Sequence, residues 1–173
     1  MNMYIFKPLF VVLLSISLLM GCGVTKEEAI NESIEVAEDT FNEAKPAYNE
    51  TIYGIRFSLP EDFKIISESE SNIILAKGRQ EFILFVNPQE ALDSEAAFQA
   101  LEKAKGEKII ESFKRGERFG YFSAAPLEDN EYELIVGIGG VKLTTKTKIS
   151  DMVEHTKAMM EIANSVEYKI GED

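Results

Sequence analysis

Basic residues, histidine and cysteine are all scarce in this chain, and each scarcity removes a class of function. Eighteen Lys and Arg face thirty Asp and Glu among 173 residues, a formal net charge of −12. Nucleic acid is thereby excluded as a partner, because phosphate binding requires clustered cations that release counterions. The same balance disfavours electrostatic adhesion to anionic lipid. The one histidine, His155, rules out a multi-histidine metal site within a single chain. The one cysteine, Cys22, has no partner for an internal disulfide. A Gly-rich phosphate loop, a serine elbow and a His-Glu-x-x-His pair are also missing. With no catalytic motif and no cofactor signature, the expectation is a non-enzyme that carries no cofactor.

Long apolar runs are absent too. The stretch Leu9 to Met20 has only Ser15 and Ser17 as polar members. As a helix it reaches roughly 18 Å, well short of the ~30 Å of hydrocarbon that a permanent span crosses. With Lys7 ahead of it and Gly21 behind, it has the pattern of a signal peptide over residues 1–21. Leu19-Met20-Gly21-Cys22 resembles the lipobox of bacterial lipoproteins. That resemblance implies cleavage between Gly21 and Cys22 and acylation of the Cys22 thiol, with palmitate-type chains holding the protein to the cell membrane at its extracytoplasmic face. Two acyl chains anchor durably, whereas one is marginal.

Residues 22–50 read as a lipid anchor followed by an acidic helical segment. From Val24 to Lys45 the residues have helix chemistry: Thr25 and Glu28 have capping-box spacing, and Pro46 stops the helix. Ile30, Ile34, Ala37, Phe41, Ala44 and Tyr48 fall on one stripe, with acids opposite. Three readings of that stripe stay open. It is a helix docked on the following domain, an acidic spacer, or a partner-binding helix.

Residues 51–173 read as one α+β domain. Strands are expected at Tyr53 to Leu59, Phe63 to Ser67, Asn72 to Lys77, Glu81 to Val86, Glu107 to Phe113, Arg118 to Ala124, Tyr132 to Ile138 and Val141 to Lys148. Gly139-Gly140 marks a hairpin. Helices are expected from Ser94 to Lys105, capped by Ser94 or Asp93, and from Ser150 to Ser165. Phe82 to Val86 and Leu134 to Ile138 are apolar on both faces, which predicts central strands covered on two sides. Short links imply antiparallel pairing. The expected architecture is an α/β/α sandwich around a mainly antiparallel sheet, preceded by the acidic amphipathic helix.

Tyr53-Gly54-Ile55-Arg56-Phe57-Ser58-Leu59-Pro60-Glu61-Asp62-Phe63 resembles the opening strand and proline turn of the PsbP-like family, which includes extrinsic photosystem proteins and bacterial lipoproteins. Ile162-Ala163-Asn164-Ser165-Val166 is similar to that family's terminal helix and its short hydrophobic ending. The resemblance implies the fold alone, since the family has no shared catalytic centre.

Single residues offer little chemistry. His155 borders the apolar stripe of the last helix, where packing or solvation outweighs catalysis. Glu128-Asp129-Asn130-Glu131 lacks calcium-loop spacing and reads as a polar turn. Lys142, Lys146, Lys148, Arg115 and Arg118 form a local basic excess that reads either as an anionic-ligand face or as edge-strand protection. The expected function is a non-catalytic binding or assembly module for an envelope protein or component. The alternative is a carrier of a small apolar ligand or lipid, in a sheet–helix cavity lined by Phe98, Leu101, Met159 and Met160.

Overall fold

In the computed structural model, residues 25–168 are described. The leader, Gly21 and Cys22 lie outside them. Among the described residues the chain is a mixed α+β fold, in which three α-helices accompany a seven-stranded antiparallel sheet and a separate two-stranded hairpin. No helix among these residues is long and apolar enough to cross a membrane.

Helix α1 spans Lys26–Asn42. Its first turn is closed by the expected capping box. The Glu28 N–H donates to Thr25 Oγ1 at 3.2 Å, and the Thr25 N–H donates to the Glu28 carboxylate at 2.9 Å. The Thr25 N–H, and next the Thr25 hydroxyl that donates to the same carboxylate at 2.8 Å, hold the Glu28 carboxyl below its ordinary range. The stripe docks on the domain, with Ala37 and Phe41 completely buried and Ile30 nearly so. Ala44 and Tyr48 remain exposed, because the helix ends at Asn42 rather than Lys45.

That early end has a physical cause. The last turn of α1 carries no basic residue, so the negative pole of its dipole and its orphan carbonyls are met by side chains from elsewhere. Arg118 donates to the Phe41 carbonyl at 3.4 Å and to Asn164 Oδ1 at 2.5 Å, and its guanidinium lies 4.9 Å from the Phe41 ring centroid. Asn164 Nδ2 in turn donates to the Thr40 carbonyl at 3.0 Å. Arg115 donates to the Asn42 carbonyl. Burial, with the Arg115 charge second, lowers the Arg118 pKa from the ordinary arginine value. Both arginines thus donate within the fold, Arg118 from a half-buried position and Arg115 from an exposed one.

A hairpin of β1 (Glu50–Ile52) and β2 (Ile55–Phe57) follows. The main sheet contains β3 (Phe63–Glu68), β4 (Asn72–Lys77), β5 (Gln80–Val86), β6 (Ile109–Lys114), β7 (Phe119–Pro126), β8 (Glu131–Ile138) and β9 (Val141–Lys148). Its order is β3-β4-β5-β9-β8-β7-β6, so β5 and β8 flank the central strand. The β8–β9 turn is the two-residue Gly139-Gly140 link, and Val141 pairs with Ile138 directly across it.

Helices α2 (Ala96–Lys103) and α3 (Met152–Ser165) complete the fold. Ser94 Oγ accepts the Ala96 N–H at 3.3 Å, although Glu95 is the residue that precedes the helix. Strand alternation divides the apolar side chains into two clusters. Phe82, Leu84, Phe122, Leu134 and Leu143 join α1 and α3 in the larger one. Phe119, Tyr121 and Ile135 meet Ala97, Phe98 and Leu101 of α2 in the smaller. Gly137 makes room there, since a Cβ would stand 2.2 Å from Cζ of Tyr121.

Two expectations are corrected. Phe82 to Val86 is not covered on both faces: Phe82, Leu84 and Val86 are buried, while Ile83 is 43% exposed and Phe85 half-buried. Helix α2 is too short to reach β5, and its apolar contacts stay on β7 and β8. Nor does a strand begin at Tyr53, because Tyr53-Gly54 is the turn between β1 and β2.

The clasp on α1 gives a direct prediction. Arg118→Ala removes charge-assisted hydrogen bonds and a ring contact at a half-buried site, so stability should fall by about 2–3 kcal/mol. Urea unfolding reads this as a lower midpoint with an unchanged slope. Arg118→Lys should restore only part of the loss, because an ammonium cannot serve two acceptors in the guanidinium geometry.

Candidate functional site

The β1–β2 hairpin turns through Tyr53 and Gly54, with φ of 46° and 80°. Two successive positive φ values match the twist of a two-residue hairpin, for which Asn-Gly is the favoured pair. A tyrosine in the first position is strained, and strain of this kind marks functional surfaces more often than chance. Its ring lies in solvent, with Tyr53 61% exposed.

The end of the described chain holds this hairpin in place. Arg56 and Glu167 exchange backbone hydrogen bonds of 2.8 and 2.7 Å. The Arg56 guanidinium also pairs with the Glu167 carboxylate at 2.7 Å and lies 4.8 Å from the Tyr48 ring centroid. Lys45 reaches the same carboxylate at 3.2 Å and the Val166 carbonyl at 3.0 Å. The Tyr168 hydroxyl donates to the Glu90 carbonyl at 2.7 Å. Burial, then the nearby Glu90 charge, raises the Tyr168 phenol pKa.

Two hollows meet along this edge. One, of about 360 Å³, lies between the hairpin tip, Glu70, Pro88 and Tyr168. The other, of about 320 Å³, is bounded by Lys45, Leu92, Val166 and Glu167. Arg56 and Tyr168 border both, so the hollows adjoin and are called the groove below. Its walls offer aromatic faces and two cations that share the Glu167 carboxylate. Such a lining offers surfaces for stacking, apolar contact and hydrogen bonding.

The residues singled out from sequence are distributed elsewhere. Met159 and Met160 are fully buried in the larger cluster, whereas Phe98 and Leu101 pack in the smaller one. The sheet separates the two pairs, so the four do not line a common cavity. His155 is 8% exposed beneath α3, with Nδ1 2.7 Å from Thr147 Oγ1 and its ring edge-on to Phe82 at 5.2 Å. Burial lowers its pKa against smaller raising effects from Asp151 and then Glu154, and Lys77 adds the smallest, lowering, effect. Asp129 and Asn130, with φ of 57° and 58°, form the tight turn between β7 and β8. Among the described residues, no group of three or more His, Cys, Asp or Glu side chains is placed to hold a metal ion.

Sequence placed Tyr48 on the helical stripe and Arg56 in the opening strand, and it singled out neither these nor Tyr168 as residues of one site. The available signal was the Tyr-Gly pair, which was overridden by the regular alternation of Tyr53, Ile55, Phe57 and Leu59. No protein-family model matches the chain, and no curated protein matches it.

Two outcomes follow. As the folded-state pKa of His155 lies below its unfolded value, lowering the pH protonates the unfolded chain first. Stability should therefore decline as pH drops below about 6.5, the unfolded imidazole value, and level off at the lower folded pKa. Denaturation midpoints across that window should lose this component in His155→Gln. Separately, Tyr53→Asn should raise stability by about 1 kcal/mol, because Asn accepts positive φ more readily. Thermal unfolding would show the gain, and a loss would refute the strain argument.

Proposed function

We propose that this protein is a membrane-anchored extracytoplasmic lipoprotein whose PsbP-like α/β domain binds an envelope protein without catalysing a reaction. Its domain is an α/β/α sandwich with an incomplete third layer, a reading supported by the split of the core between α1 with α3 and α2. The anchor is the acylated Cys22, released from the 1–21 leader next to Gly21.

The observation that carries this reading is the strained, exposed Tyr53 beside an aromatic and cationic groove at the far end of the domain from the N-terminus. Lys26, at the start of α1, lies 5.4 Å from the Tyr132 ring centroid at the beginning of β8. The C-terminal end of α1 meets Arg118 at the other end of the sheet, and the Phe119 N–H donates to the carbonyl of the groove residue Leu92 at 2.9 Å. Helix α1 is about 26 Å long at 1.5 Å per residue. Thr25 follows Cys22 by three residues, which reach about 11 Å at most. An anchored chain therefore keeps the β7–β8 turn near the lipid and presents the groove away from it. An extended segment of an envelope protein suits such a groove, with its aromatic side chains offering large contact area at low entropic cost.

A photoreactive amino acid at position 53 tests this in native membranes, with one at Leu127 as a control. Leu127 is 41% exposed in the β7–β8 turn. Protein adducts specific to position 53 are expected, together with intact-mass detection of acyl chains on Cys22. Equal labelling from both positions would overturn the groove assignment. An unmodified thiol would overturn the anchor.

A further inference from the structure

The strands of the main sheet are joined unevenly. β8 and β9 pair along their whole length, from Ile138 opposite Val141 to Glu131 opposite Lys148. The β5–β9 ladder runs only from Val86 opposite Val141 to Ile83 opposite Thr144. From Thr145 to Lys148, β9 stays paired with β8, and side chains bridge the seam toward β5. Gln80 Nε2 donates to Thr145 Oγ1 at 2.6 Å and to the Lys146 carbonyl at 2.7 Å, and the Thr145 hydroxyl donates to the Glu81 carbonyl at 2.6 Å. A hollow of about 420 Å³ opens over this stretch, bordered by Gln80, Glu81, Thr145 and Lys146.

His155 closes the same seam from the helix side. Its Nδ1 lies 2.7 Å from Thr147 Oγ1 on β9, and Phe82 of β5 meets its ring edge-on at 5.2 Å. The strands beyond the seam, β3, β4 and β5, have the thinnest cover. The backbone of α3 lies along β8 and β9, and that of α1 along β7. Helix α2 packs on Phe119, Tyr121 and Ile135. The three strands thus give one face to the core, through Phe63, Ile73, Leu75, Phe82 and Leu84, while Ile83 on the other face is exposed. Local opening is cheapest where apolar cover is thinnest. At the opposite end the Asn87 N–H donates to the Gly140 carbonyl at 2.9 Å, which fixes a pivot beside Val86.

We propose that β3, β4 and β5 open as one unit about this pivot, latched by the neutral ring of His155, and that mild acid releases the latch.

The latch works by charge and burial. An imidazolium at this place is hydrogen-bonded to a hydroxyl rather than a carboxylate. Lys77 of β4 adds a like charge. The acids around it are engaged elsewhere: Glu154 with Lys77 at 2.6 Å, Asp62 with Lys77 at 2.8 Å, and Asp151 with the Ser150 hydroxyl at 3.0 Å. Burial outweighs the attraction of Asp151 and Glu154, so the ring takes a proton more readily once Phe82 has moved away. The closed form therefore binds the proton less tightly than the open one. Opening grows as pH falls below about 6.5, the value of an exposed imidazole, and levels off below the closed-state pKa. The open state frees the β9 edge from Thr145 to Lys148.

Native-state hydrogen exchange on the full chain in detergent, with each rate divided by its intrinsic value, tests both parts. At about pH 7.5, residues 63–86 are expected to show lower protection and a shallower urea dependence than residues 131–138, as a partial opening does. Equal protection with equal slopes would mean one global opening and overturn the unit. At about pH 5.5 the protection of 63–86 should fall severalfold, and His155→Gln should abolish that fall. Unchanged protection of 63–86 would overturn the latch, whether or not 131–138 changes, because the ring would then stay covered during opening. A fall that persists in His155→Gln would assign the proton to another group and overturn it as well. Should that variant fail to fold, His155→Asn takes its place, and the pH series on the unsubstituted chain still decides whether 63–86 responds.

Discussion

Everything distal to the N-terminus depends on how an acidic helix is held at its wrong-signed end. Helix α1 brings two acids to its first turn and no base to its last, which suits the positive pole and leaves the negative one uncompensated. Arg118 and Arg115 from the β6–β7 turn, with Asn164 from α3, supply that compensation. The clasp acts at three levels. It satisfies terminal carbonyls, it seats Phe41 against Phe113 at 5.9 Å between ring centroids, and it ties α1 to α3 so that the two form one layer on the sheet. A helix so fixed cannot act as a spacer, and the position of its first residue becomes a fixed point of the domain.

The two faces of the sheet receive unequal treatment as a consequence. The face beneath α1 and α3 is continuous from β3 to β6, with Phe63 and Phe82 in contact at 5.0 Å between centroids at one side and Phe113 at the other. The opposite face has only the eight residues of α2. Such a short helix lacks the length to be stable by itself and survives by packing Phe98 on Phe119 and Tyr121. Its small footprint is what leaves Ile83 in solvent.

Local chemistry was legible in the sequence wherever the residue itself carried the instruction. Thr25 and Glu28 announced a capped helix, Gly139-Gly140 a hairpin, and Asn72 to Lys77 and Val141 to Lys148 emerged with the expected bounds. Long-range decisions were not legible. Arg118 read as surface charge because its partners, Phe41 and Asn164, are 77 and 46 residues away. Met159 and Phe98 looked alike as apolar helix residues, and only the sheet between them assigns them to different clusters. Tyr53 was misread for a subtler reason. Period-two alternation is the same whether a strand continues or reverses through a two-residue turn, and a tyrosine at positive φ is the less expected solution. The candidate groove thus escaped notice at the one residue where the local rule is broken, which is where function and strain tend to coincide.

The distribution of charge ties the described elements of the fold to one another. Burial beneath α3 holds the His155 pKa below the ordinary imidazole value, Lys77 is shared by Asp62 and Glu154 at 2.8 and 2.6 Å, and Lys114 is held by Glu95 at 2.6 Å. Each of these pairs ties one element to another, so its energy is directed to placing helices and turns. At the groove the same economy yields a different result. Lys45 and Arg56 share the Glu167 carboxylate, and with Glu70 on the same wall the charges balance beside the strained Tyr53 and the ring of Tyr48. Cations with unspent hydrogen-bonding capacity and aromatic faces recognise a ligand by geometry and need no titrating residue to do so. Under the proposed reading, a surface of that composition holds a partner, and the docked helix sets the end of the domain from which that partner approaches.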